Sequence, residues 1–204
     1  LDPFATGLLP IFTGKALKVM RYTDDYDKAY DCTCVFGVST TTMDPEGEVV
    51  ETKTLTGSDE EFENIRKAFE ELSHITEQIP PVFSAKKIDG QKAYDLARKG
   101  VEVKMPSHPV KIYALDINDM RYEDGKIYAD LSIACSKGTY IRSICDDAGK
   151  ITGYHAHALT LRRTKAGPFD VKDAYTEDQL SAMAEMGDYS FIAPREQAMD
   201  SMHR

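Results

Sequence analysis

The chain has 204 residues, of which 42% are hydrophobic and 29% charged, the balance of an ordinary globular domain long enough to bury a sizeable core. No apolar run approaches the roughly 20 residues that a membrane-spanning helix needs. The net charge of -9 argues against a uniformly basic nucleic-acid binder.

The chain opens on Leu1-Asp2-Pro3-Phe4-Ala5-Thr6-Gly7-Leu8-Leu9. Proline fixes its own φ and pushes the residue before it toward extended backbone, so Asp2 is expected at a strand-to-turn junction with its carboxylate on a rigid support. A strand that leads into such a turn normally has residues before it, so part of a longer protein is expected. Leu8 to Phe12 is a short apolar run and Gly14 a turn. Ala16 to Tyr22 reads as a short helix, with Leu17 and Met20 three apart. Tyr30 to Val38 alternates β-branched and aromatic residues as a strand does, and Thr40 to Glu48, with Asp44-Pro45 and Gly47, reads as a long surface loop.

Ser58 followed by Glu61 is a capping box. It opens a helix of about four turns with Phe62, Ile65, Phe69 and Leu72 as its apolar stripe. Gln78 to Lys86, with two prolines, is expected to be extended, and Gln91 to Lys99 a helix ended by Gly100. Val110 to Tyr122 alternates as a strand, and Asp124-Gly125 is a hairpin signal into Lys126 to Cys135. After the glycine turn of Ser136-Lys137-Gly138-Thr139, a helix is predicted from Ile141 to Thr152, stopped by Gly153. Ala158 to Thr164 reads as a strand, and a last helix after Thr176 carries Leu180 and Met183. This mixture predicts an α+β domain on a largely antiparallel sheet flanked by helices.

Charge is uneven along the chain. Asp44 to Glu77 holds 11 acids against 3 bases, whereas Ser84 to Lys111 holds 7 bases against 3 acids. Arg162, Arg163 and Lys165 form a second basic knot, so a basic face on an acidic protein is expected. The 4 cysteines include Cys32-x-Cys34 in a strand pattern, and no second close Cys or His pair completes a zinc site. Free thiols in a reducing compartment are the expectation.

Three stretches carry polar residues that the fold does not obviously require: Asp2, Asp27-Lys28-Ala29-Tyr30, and Ser136-Lys137-Gly138-Thr139-Tyr140-Ile141-Arg142. An arginine beside an aspartate favours the anion and orients it. Tyrosines supply flat faces for an unstacked base. One Asp, one Arg and aromatic platforms, without metal ligands or a phosphate-cradling loop, suit cofactor-free chemistry on a flipped nucleobase.

These motifs, in this order, resemble the bacterial tRNA pseudouridine synthases of the TruB family, from Leu1 to about Lys165. They are joined by Pro80-Pro81-Val82-Phe83-Ser84-Ala85-x-Lys87 with Gly90 and Ala97-Arg98, and by Leu161-Arg162-Arg163. The resemblance implies isomerisation of uridine 55 in the T loop of tRNA, with no cofactor or metal. It implies Asp2 as the catalytic aspartate, Arg142 as its partner, and Tyr30 stacked on the uracil. Tyr140 and Leu161 would line the base pocket. Lys18, Lys86, Arg98 and Lys137 are candidate phosphate contacts. A cytoplasmic monomer that binds the T stem-loop without an obligatory protein partner is implied as well.

In domain terms, residues 1–172 are expected to form the catalytic domain, lacking its N-terminal part. That part carries in the family a Gly-His-x-Gly turn. Residues 173–204 are expected to be a helical extension rather than a complete PUA domain. A non-catalytic RNA-binding module of the same fold is the alternative. A glycosidase with paired carboxylates is disfavoured, because the matched motifs hold no second acid.

Overall fold

The computed structural model describes residues 2–18, 20, 25–81, 87–88, 91–92 and 105–193. The first strands are β1 (Thr6–Gly7), β2 (Lys28–Phe36), β3 (Val38–Thr40) and β4 (Val49–Thr52), followed by helix α1 (Asp59–Ser73). Four short strands come next: β5 (Glu77–Gln78), β6 (Lys87–Ile88), β7 (Gln91–Lys92) and β8 (His108–Pro109). The long hairpin β9 (Ile112–Glu123) and β10 (Lys126–Cys135) leads to α2 (Ile141–Thr152). The chain then forms β11 (Ala156–Ala166), β12 (Phe169–Asp170) and α3 (Glu177–Glu185).

The main sheet has the order β1-β11-β2-β10-β9, with β12 on β11. Its pairs are antiparallel except β1, which runs parallel to β11 with Thr6 opposite Arg162 and Gly7 opposite Arg163. The α+β class and the largely antiparallel sheet are as predicted. Along β10 burial alternates residue by residue, and Ile127, Ala129, Leu131, Ile133 and Cys135 face the core. They join Tyr30, Cys32, Cys34 and Phe36 of β2 and Ala156, Ala158 and Leu161 of β11.

Helices α1 and α2 cover this face. The Ser58 capping box is formed in both directions, and Ile65, Ala68, Phe69 and Leu72 are buried. Phe69 meets Phe36 edge-on at 5.9 Å, and burying such a ring is worth roughly 1.5–3 kcal/mol. Helix α2 matches its predicted bounds and ends on Gly153 in the left-handed region. Its Gly149 lies against β11, where an added Cβ would stand 2.3 Å from the Ala156 nitrogen. The β9–β10 turn has positive φ at both Asp124 and Gly125, as a tight hairpin of this twist requires.

Three expectations change. Of helix Ala16–Tyr22, residues 16–18 belong to a 3-10 segment, Gly14–Lys18, with Leu17 54% and Met20 50% exposed, and residues 19, 21 and 22 lie outside the described residues. Of helix Gln91–Lys99, the described pair Gln91–Lys92 is a strand against Lys87–Ile88, and the rest lies outside the described residues. The Thr40–Glu48 loop has Thr41, Pro45, Glu46 and Glu48 at the surface as expected, but Thr40 and Asp44 are buried. All four cysteines are buried free thiols, with Cys32 Sγ 3.7 Å from Cys145 Sγ across the β2–α2 interface. Among the described residues, no helix is long and apolar enough to cross a membrane.

Candidate active site

Two anchors place Asp2. Its own carbonyl accepts from Ala5 N–H at 3.0 Å, closing the Pro3-Phe4 turn. Beyond the turn, β1 lies so close to β11 that a Cβ on Gly7 would fall 2.3 Å from the Arg163 carbonyl oxygen. Gly7 has φ +96, so only glycine fits here on both counts. Leu8 N–H donates to the Arg163 carbonyl at 2.8 Å, and Arg163 Nε returns a bond to the Leu8 carbonyl at 2.9 Å.

Arg142 comes from the first turn of α2, with its side chain 5% exposed. A cation at a helix N-terminus opposes the helix dipole and needs strong compensation when buried. Two carboxylates supply it. Arg142 Nε lies 2.9 Å from Asp2 Oδ2, and its Nη2 donates to Asp2 Oδ1 at 3.1 Å. Arg142 Nη1 donates to Asp44 Oδ2 at 3.0 Å and to the Thr42 carbonyl at 2.9 Å. The predicted Asp2–Arg142 pair is present, as one hydrogen bond from Nη2 and a close ionic contact from Nε that together orient the carboxylate.

Sequence reasoning missed Asp44. The expected surface loop folds back so that Asp44 is 3% exposed. Thr40 Oγ1 donates to the Asp44 carbonyl at 2.6 Å and accepts from Asp44 N–H at 3.1 Å. Thr42 Oγ1 and Glu46 N–H donate to Asp44 Oδ1 at 2.5 and 3.0 Å. Asp-Pro preceded by a run of threonines is the available signal, because hydroxyls and an Asx turn can satisfy an inward carboxylate locally. Both Asp44 oxygens are occupied and shielded, so Asp44 is no free acid or base for paired-carboxylate hydrolysis.

Tyr30 sits on β2 directly opposite Arg163 of β11. It is 9% exposed, and the Arg163 guanidinium is among the groups that act on its phenol. Burial first, then the neighbouring Cys135, pushes its phenol up to about 12, so it is protonated near neutral pH. Arg163, expected in a basic surface knot, is buried instead and ties the segment after Asp2 to the strand of Tyr30.

Leu161 is buried in the same core group as Tyr30. Tyr140 is half-buried, with its ring edge-on to His108 at 6.2 Å. Lys18 is exposed, whereas Lys137 is exposed but ion-paired to Asp25. Lys86 and Arg98 lie outside the described residues. A cavity of about 620 Å³ flanks the group beside Phe4 and Leu161, floored by Asp31, Thr33 and Asp130. Asp31 and Thr33 alternate with Tyr30 along β2, so the floor is the opposite face of the sheet, and none of Asp2, Tyr30, Tyr140 or Arg142 lines it. Among the described residues no cluster of His, Cys, Asp and Glu could hold a metal ion.

The arrangement provides an oriented carboxylate beside aromatic and apolar surfaces. Residues 1–141 match the family described as TruB family pseudouridylate synthase (N terminal domain), and residues 142–200 match the tRNA pseudouridylate synthase B C-terminal domain. The tRNA pseudouridine synthase B of Shouchella clausii is 45% identical over 189 residues, covering 91% of this chain and 61% of that protein. That of Halalkalibacterium halodurans is 40% identical over 203 residues, covering 98% and 66%. The chain thus spans just under two thirds of the length of these curated relatives. A Cbf5-Nop10-Gar1 complex contains a chain of the same fold, with TM-score 0.61 and 23% identity over 94% of this chain and 47% of that one. The chain belongs to the TruB family of pseudouridylate synthases.

Proposed function

We propose that the protein containing this chain isomerises uridine 55 in the T loop of tRNA to pseudouridine, without cofactor or metal. The observation that carries the reading is the Arg142–Asp2 ion pair, with Nη2 hydrogen-bonded to Oδ1, Nε 2.9 Å from Oδ2 and the Asp2 side chain still 32% exposed. A carboxylate held this way is oriented and kept available to a substrate. In the reaction the C1′–N1 bond of the uridine breaks, the uracil turns, and C1′ bonds to C5. The C5 hydrogen leaves as a proton and N1 gains one, so substrate and product are isomers.

In this reading Asp2 drives the bond cleavage at the sugar and base, and Arg142 holds it in place. Tyr30 stacks on the uracil, and Tyr140 and Leu161 complete the base pocket. The raised phenol makes Tyr30 a surface and a hydrogen-bond donor at neutral pH rather than a standing base. Lys18, Lys86, Arg98 and Lys137 are the proposed phosphate contacts, with Lys137 exchanging Asp25 for phosphate on binding. The T stem-loop is the bound element, and a monomer acting in the cytoplasm suffices. Residues 1–172 form the catalytic body and residues 173–204 an extension, whose helix α3 buries none of its residues.

The test is incubation of the full-length protein with unmodified tRNA transcript, followed by mass-spectrometric mapping. One pseudouridine at position 55 is expected. Tight binding of the transcript with no pseudouridine at any position would favour the alternative, an RNA-binding module that keeps the cleft without turnover.

A further inference from the structure

We propose that Gln78 and His108 are positioning residues that hold the turn between β10 and α2, and through it Tyr140 and Arg142, in register with Asp2. The proposal rests on the functional reading above.

Gln78 and His108 stand opposite one another in the two-stranded ribbon β5–β8. Each reaches from the ribbon to the backbone of the turn. Gln78 is 3% exposed, and both ends of its amide are used on one residue. Tyr140 N–H donates to Gln78 Oε1 at 2.8 Å, and Gln78 Nε2 donates to the Tyr140 carbonyl at 3.0 Å. The side chain therefore acts as a strand partner for Tyr140. Tyr140 is also the N-cap of α2 and has no capping bond of its own. Gln78 instead ties the N-cap residue itself to the ribbon, through that residue's own N–H and carbonyl.

His108 holds the turn two residues earlier. Its Nε2 lies 2.9 Å from the Gly138 carbonyl. A carbonyl only accepts, so Nε2 carries the hydrogen. The same imidazole stands perpendicular to the Tyr140 ring, at an interplanar angle of 86°. Gly138 has φ +79, and an added Cβ would come within 3.3 Å of His108 Nε2, so turn and imidazole are fitted to each other. A third tie, Ser143 Oγ to the Ile79 carbonyl at 3.3 Å, continues the contact into α2.

The consequence is geometric. Tyr140 and Arg142 lie within four residues of Gly138, whereas Asp2 enters from the far edge of the sheet. A turn freed from the ribbon shifts the Tyr140 ring and the Arg142 side chain together, and such a displacement of about 1 Å can cost on the order of 100-fold in rate. The loss is expected chiefly in turnover: of the four proposed phosphate contacts only Lys137 lies in this turn, whereas the Tyr140 ring and the Arg142 contact to Asp2 both depend on it.

The test compares the full-length protein with Gln78→Leu, Gln78→Glu, His108→Leu and His108→Gln. Turnover is measured on a T stem-loop RNA, and amide hydrogen exchange is followed by mass spectrometry over residues 136–144. Both leucine variants are expected to lose about tenfold or more in kcat, with KM within about twofold. Their exchange speeds up in 136–144 while α1 stays at the parent rate. His108→Gln keeps a donor at the reach of Nε2 and is expected within about threefold of the parent. Gln78→Glu keeps the acceptor but turns an oxygen toward the Tyr140 carbonyl, so it is expected to lose kcat as Gln78→Leu does, and His108→Leu decides the case should the Gln78 variants fail to fold. Parent-like kcat in the leucine variants of an active protein overturns the proposal, as does an equal loss in His108→Gln and His108→Leu. A parent that forms no pseudouridine refutes the functional reading instead. Exchange alone then decides, and unchanged exchange in 136–144 overturns the tether.

Discussion

Arg142 is shared between two carboxylates that differ in exposure, and the difference separates chemistry from stability. The Asp44 side chain is 4% exposed and its oxygens are fully committed to Arg142, Thr42 and Glu46. Asp44→Ala leaves a buried guanidinium half-paired, and breaking such a pair costs about 3–5 kcal/mol. The Asp2 side chain is 32% exposed, and Asn in its place still accepts from Arg142 while Asp44 balances the charge. Asp2→Asn should therefore cost only about 1 kcal/mol. Urea titrations of the two variants check this: a large drop in midpoint is expected for Asp44→Ala and a small one for Asp2→Asn. Equal drops would contradict the division of roles. Asp2, Tyr30 and Arg142 could be picked out in the sequence because polar residues stood where the local structure had no use for them. Asp44 could not, since its partner lies 98 positions away and its own surroundings read as a polar loop.

Elements whose cause is local were legible in outline, and those whose cause is tertiary were not. The Ser58–Glu61 box, the Asp124-Gly125 hairpin and the Gly153 stop are each written within a few residues, and each element formed where expected. In the 16–22 segment the described residues 16–18 are 3-10 rather than α-helical, because an apolar pair three apart is too weak a stripe to stabilise an α-helix by itself. Gly149 shows the reverse case. Inside an exposed helix, alanine would be better than glycine by about 1 kcal/mol. Here the added methyl would sit 2.3 Å from the Ala156 nitrogen and 2.8 Å from the Ala156 Cβ, and such overpacking costs about 1–3 kcal/mol. The steric term wins, so Gly149→Ala is expected to lower the thermal midpoint, by roughly 2–4 °C for each kcal/mol lost. A raised midpoint would mean that α2 is free to move off β11. Because α2 carries Arg142, the same variant should also lose turnover.

At the scale of the whole molecule, the sheet's buried face sets the pH response. Burial pushes the Tyr30 phenol up to about 12 from 10.0 and, as the leading cause, the Cys135 thiol up to about 11 from 9.0; the Cys34 thiol also rises through burial. The unfolded chain releases these protons at lower pH than the folded chain. Stability is therefore complete below pH 9 and falls as pH rises through 9 to 12, by about 2–3 kcal/mol for each of Tyr30 and Cys135. Denaturation midpoints that hold steady from pH 9 to 11 would contradict this burial. The placement of an acidic chain's basic segments was visible as composition, but it could not say that Arg163 is buried and Lys137 paired.

The central claim is that Asp2, oriented by Arg142, performs the isomerisation. The most direct measurement is release of tritium from C5-labelled uridine in a T stem-loop RNA by the full-length protein and its Asp2→Asn variant, with RNA affinity measured on both. Stoichiometric release is expected from the parent and none from Asp2→Asn at nearly unchanged affinity. Substantial release by Asp2→Asn, or none by the parent, would contradict the claim.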